Sequence, residues 1–172
     1  MADLKTHAMQ RYISPSAYKI TTGTWTLTNS SGILYQLKTA TAETSVISIP
    51  ISIESYVGEF GIKLTAIEVP LRITAADLSG VAAGTLYRVD DYLAVAAAGV
   101  NITATSITIT ETGTSVTLAA TDRLYTATVT TPAWDYTSTI TKCHYQLDLS
   151  LPCAASTVVR AYGATVKYES LG

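Results

Sequence analysis

Two histidines, His7 and His144, and two cysteines, Cys143 and Cys153, are the residues best suited to metal ligation or nucleophilic chemistry. His144 follows Cys143 directly in a strand-like stretch. Adjacent strand residues point to opposite faces, so the pair cannot converge on one ion. A structural zinc site needs four ligands at recognisable spacing, and the sequence has no such set. Asp90 and Asp91 offer carboxylate oxygens to Ca²⁺, with Asp77 or Asp122 joining them if loops converge. No EF-hand pattern accompanies them, and paired Asp at a strand end reads as a solvated turn. The 13 acidic residues single out no pair that would flank a glycosidic bond. No G-x-S-x-G elbow, P-loop or Gly-rich dinucleotide fingerprint occurs. The expectation is a non-enzymatic protein with no metal and no cofactor. Trp25, Trp134 and the 11 Tyr remain. On an exposed sheet such rings stack on sugars; buried, they fill a core or an interface.

The elements that would position these residues are strands. Period-2 alternation recurs along the chain and helical periodicity does not. Ile47, Ile49, Ile51 and Ile53 share one face, with Ser48, Pro50, Ser52 and Glu54 opposite. Pro50 cannot donate to a ladder, which predicts an edge or a bulge there. Ile62 and Leu64 have one parity, and Ile67, Val69, Leu71 and Ile73 the other. That phase change near Ala66 predicts a β-bulge or a strand crossing between sheets. Further strands are predicted at 18–28, 33–39, 85–90, 115–118, 124–131, 139–149 and 157–168. Turn chemistry marks 29–32, 111–114 and 151–153. Residues 74–78 read as one helical turn and 94–99 as a small-residue loop. Many short strands without alternating helices predict an all-β fold. Its form is an antiparallel two-sheet sandwich, jelly-roll-like, with an extended N-terminal arm. Residues 1–16 are the arm and 17–172 a single β-sandwich domain.

Composition narrows the function. The chain of 172 residues holds 29 Thr, is 48% hydrophobic and only 14% charged, with a net charge of −2. It is too hydrophobic for disorder and lacks the basic face of a nucleic-acid binder. The longest uncharged run, residues 92–110, is too polar for a membrane span. No secretory signal is read in residues 1–16. Cys143 and Cys153 are expected as free thiols in a reducing compartment. Outward strand positions are Thr, Ser and Ala where a solitary sandwich carries Lys and Glu. Charge-depleted surfaces are characteristic of contact regions, so a homo-oligomer is expected, a trimer above all.

Residues 130–134, 145–149, 154–159 and 160–166, together with 61–67 and 86–89, resemble small β-sandwich proteins encoded among tailed-phage structural genes. The resemblance covers roughly residues 60–168, through short patterns of strand ends and turns. It implies a virion protein on the capsid surface, made in the host cytoplasm: a decoration, or cement, protein that stabilises contacts between major capsid subunits. On this reading the arm reaches the capsid, with Leu4, Met9, Arg11, Tyr12 and Ile13 as contact residues. The alternative is a tail or fibre module that binds carbohydrate through Trp25 and Trp134.

Overall fold

The computed structural model describes residues 6–51, 62–92, 101–105, 107–112, 121–130 and 141–171. The strands are β1 (Thr6–Ile13), β2 (Lys19–Thr22), β3 (Trp25–Ser30), β4 (Ile33–Lys38), β5 (Glu43–Ile51), β6 (Ile62–Thr74) and β7 (Ala83–Tyr92). They continue with β8 (Asn101–Thr105), β9 (Ile107–Thr112), β10 (Thr121–Val129), β11 (Thr141–Cys153), β12 (Val158–Ala161) and β13 (Ala164–Leu171). Among the described residues the helical element is a 3-10 turn at Pro15–Ala17, capped by the Ser14 side chain.

The expected all-β sandwich is the fold found. One sheet of eight strands runs β1-β13-β6-β12-β4-β3, with β10 on the other flank of β6 and β9 beyond it. The second, of five strands, runs β2-β5-β11-β7-β8. Within them lies a nested pairing: β1 with β13, β5 with β11, β6 with β10 and β7 with β8. First pairs with last and the innermost pair is adjacent in sequence, as in a long antiparallel hairpin wrapped across two sheets. That is the jelly-roll winding. Strands β3, β4, β9 and β12 are additions to this frame, and β2 is a short extra edge.

The core follows from alternation. Ile47, Ile49, Ile51, Leu86, Leu147, Leu149 and Leu151 of one sheet face Ile67, Val69, Leu71, Val159 and Val166 of the other, all at most 1% exposed. Each such side chain contributes about 1.5–3 kcal/mol of burial. The phase change near Ala66 is a β-bulge: Lys167 pairs with Ala66 and Tyr168 with Leu64, leaving Thr65 unmatched. The Thr65 hydroxyl donates to the Lys167 carbonyl at 3.0 Å and closes the irregularity. Pro50 sits on an open flank, since β2 covers β5 only as far as Ser48. The turn at 29–32 is also present. Ser31 and Gly32 both have positive φ, 53° and 81°, the geometry of a two-residue hairpin that matches strand twist.

Five expectations change, and two are strands that divide: the one read at 18–28 breaks at Gly23 and Thr24 as the chain changes sheet, and the one at 157–168 breaks at Tyr162 and Gly163. The segment read as a free arm is extended, but Thr6–Ile13 lies along β13 as a sheet edge. Its weak alternation reflects an edge exposed over most of its length. Residues 151–153 are strand, because Leu151 and Cys153 continue the inward parity of Tyr145, Leu147 and Leu149. The chain turns at 154–157 instead, where Thr157 N–H donates to the Ala154 carbonyl. Residues 74–78 form a bend with Ala75 at φ 71°, and Leu78 bridges to Cys153. The strand predicted at 115–118 and the loop at 94–99 lie outside the described residues, as does the turn beyond Thr112.

Candidate interaction surface

The β3–β4 hairpin is held at its base and free at its tip. Strand β4 pairs with β12 only over Gln36, Leu37 and Lys38. Three anchors fix that base. Gln36, buried, donates to the Pro15 carbonyl at 3.0 Å. Tyr35 meets Tyr162 edge-to-face at 5.9 Å, with the Arg160 guanidinium 5.2 Å from its ring centre. Lys38 has no exposed surface, and its ammonium donates to the carbonyls of Thr39, Thr41 and Thr157 at 2.8, 2.6 and 3.4 Å. Beyond the base, Leu27 and Ile33 are 45% and 56% exposed. They lie on opposite faces, since Leu27 pairs with Gln36 and Ile33 with Ser30. Residues 20–37 contain no charged side chain.

The structure separates the five candidate capsid-contact residues. Ile13 is buried in the core, and Met9 is half-buried against it. Arg11 and Tyr12 are exposed. The Tyr12 ring lies over Gly163, where an added Cβ would overlap its hydroxyl end. This is close approach of a ring to bare backbone. Leu4 lies outside the described residues, and so does Trp134. Trp25 is half-buried and packs on the core, which favours filling over sugar stacking. A solvent-open groove of about 380 Å³ follows the bulge between β1, β6 and β13, with Met9, Thr65 and Tyr168 in its wall.

A chain of polar contacts, anchored on the buried Lys38, Thr157 and Arg123, ties one end of the sandwich together. Lys38 lies 3.8 Å from Glu43, whose Oε1 also accepts from Thr24 N–H and the Ser45 hydroxyl at 2.9 and 3.1 Å. Thr157, fully buried, donates from its hydroxyl to the Asp77 carbonyl at 2.7 Å. The Asp77 carboxylate pairs with Arg123 at 2.7 Å, and Arg123 reaches Glu111 at 2.9 Å. Tyr125 donates to the other Glu111 oxygen at 2.8 Å. The Asp77 hydrogen bond is the main cause holding Arg123 above the usual arginine range, against the opposing pull of burial. Burial, then the Glu111 contact, pushes Tyr125 up. Burial likewise raises the Cys153 thiol, which is free.

The remaining candidates fall apart as ligands. Asp77 and Asp122 are engaged by Arg123 and Arg72. Cys143 and Cys153 lie ten residues apart on one strand, about 33 Å at 3.3 Å per residue, beyond disulfide reach. The side chains of Cys143, Asp90 and Asp91 lie outside the described residues. Among the described residues no three His, Cys, Asp or Glu side chains gather. Sequence reading passed over Lys38 and Arg123. Arg123 carried a signal, because it shares parity with buried Tyr125, Ala127 and Val129.

Fold and contacts define a jelly-roll β-sandwich with an added hairpin whose exposed part carries no charge. Comparison of the chain with protein-family models, curated proteins and solved structures returns no match.

Proposed function

We propose that the chain is a non-enzymatic virion structural protein, a capsid decoration or cement protein that stabilises contacts between major capsid subunits. The observation that carries this reading is the hairpin: uncharged apart from the buried Lys38 at its base, anchored there, and exposing Leu27 and Ile33 beyond the body of the sandwich. Such a surface binds by excluding water from many small contacts. The jelly roll is a frame common among capsid and lectin domains, which supports the reading by analogy of architecture. Its action is mechanical, with one rigid body bridging neighbouring shell subunits.

Arg11 and Tyr12 supply a second contact at the β1 edge. The test mixes the purified chain with empty shells of the tailed phage that encodes it. Co-sedimentation at a fixed ratio per capsomer is expected, weakened by Tyr12→Ala and Arg11→Glu. A chain that ignores shells yet binds a glycan array would overturn this reading in favour of a carbohydrate-binding fibre module.

A further inference from the structure

Proteins blunt sheet edges with charge, proline, bulges or short strands, because an open edge recruits another strand. Most edges here obey that rule. Strand β1 carries Arg11, β9 carries Glu111, and β2 has only four residues with Lys19 among them. Among the described residues two edges lack charge, proline and bulge: β8, with five residues, and β3, with six. Strand β3 is the longer. Its six residues, Trp25 to Ser30, hold no charge, no proline and no bulge. Among the described residues it pairs only with β4.

The hairpin dictates which groups remain open. Ser30 and Ile33 close the two-residue turn as a hydrogen-bonded pair, so bonded pairs recur at Thr28/Tyr35 and Thr26/Leu37. The N–H and C=O groups of Trp25, Leu27 and Asn29 therefore point away from β4. Water meets such a row in a lone chain, and another extended strand can take its place along the whole row at once. We propose that this row is the contact between two copies of the chain, with β3 pairing antiparallel to its counterpart about a two-fold axis at Leu27.

The arrangement is self-complementary. Leu27 faces its own counterpart, Trp25 faces the counterpart of Asn29, and roughly six main-chain hydrogen bonds form. Two copies of residues 20–37 meet without like-charge repulsion. A charged or proline-bearing partner strand would have no matching group on this edge. The two eight-stranded sheets become continuous, and the hairpin lies outside the jelly-roll frame, so neither body distorts. This proposal uses the same hairpin as the capsid reading but concerns the free protein, so its test gives its own answer whether or not shells are bound.

Light scattering on the full chain tests it. The expected mass is twice the 18.2 kDa of one chain. Leu27→Pro removes an outward N–H that β4 does not use. It should yield a monomer, with the dissociation constant raised by about a hundredfold or more and the thermal transition retained. Leu27→Cys should give an intermolecular disulfide on mild oxidation, since bonded antiparallel pairs hold Cα atoms about 5.5 Å apart. The wild type serves as the control for Cys143 and Cys153. Asn29→Lys, which places like charges on the edge, provides a second disruption if the proline variant fails to fold. A wild-type monomer, a trimer, or a dimer unaffected by these changes would overturn the proposal, whatever the outcome with shells.

Discussion

Lys38 is an ammonium with no solvent exposure whose three protons meet three carbonyls, those of Thr39, Thr41 and Thr157. Two of these belong to the passage from β4 to β5, where the chain leaves one sheet for the other. The third belongs to the turn after β11. One side chain thus serves three carbonyls at the end of the sandwich, that of Thr157 fully buried. Lys38→Met keeps the aliphatic stem and leaves the buried Thr157 carbonyl unsatisfied and Glu43 without its cationic partner. Stability to urea should fall by about 3 kcal/mol. Two tyrosines make a second residue-scale prediction. Tyr18 and Tyr125 are both held above the ordinary tyrosine range, chiefly by burial. In the unfolded chain they ionise near pH 10, whereas in the fold they stay neutral. Their stabilisation is therefore complete below about pH 10 and is lost as pH rises beyond it. Urea midpoints should drop steeply from pH 10 to 11. Tyr18→Phe, at the cost of its 2.6 Å bond to the Tyr162 carbonyl, should flatten that drop.

At the scale of elements, the bulge in β6 decides which side chains reach the core. Ile62 and Leu64 on one side of it, and Ile67 to Ile73 on the other, all face inward although their parities differ. Deleting Thr65 would restore uniform pairing with β13 and keep Ile62 and Leu64 inward, because without it they share the parity of Ile67. Substituting Thr65 by Val keeps the bulge and removes only the bond to Lys167. Each change should therefore cost no more than about 1.5 kcal/mol, read from urea midpoints. A deletion much costlier than the substitution would mean that the bulge itself, and not the facing of Ile62 and Leu64, holds the strand. This bulge was legible because apolar residues name the face they occupy. The short Thr6–Ile13 edge was not, since a strand with solvent on most sides needs no alternation.

For the whole molecule, nesting makes the ends interdependent. The first strand pairs with the last, and β6 receives both β12 and β13 on one flank. Truncation after Ala161 removes β13 and exposes long stretches of β1 and β6 together. No soluble folded protein should result, by circular dichroism or gel filtration. Removing residues 1–5 leaves every described pairing intact and should leave the melting temperature unchanged within about 2 °C. If the truncated chain folded, the nested winding would not be the source of its stability.

The sequence by itself determined the fold class, most strand positions, the register break near Ala66 and the hairpin turn at Ser31-Gly32. Those features are written in side-chain period and turn chemistry, which act between neighbours. Tertiary structure alone decided which strands pair, which edge stays open and what Lys38 and Arg123 meet. Thr157 is 119 residues from Lys38 in the chain, yet its carbonyl accepts from that ammonium. No local pattern encodes such a partner, because it arises only when two turns from distant segments are brought to the same end of the sandwich. The candidate surface divides in the same way. The absence of charge over residues 20–37 is plain in the sequence. That β3 within this stretch forms an open edge among the described residues depends on its pairing with β4 alone.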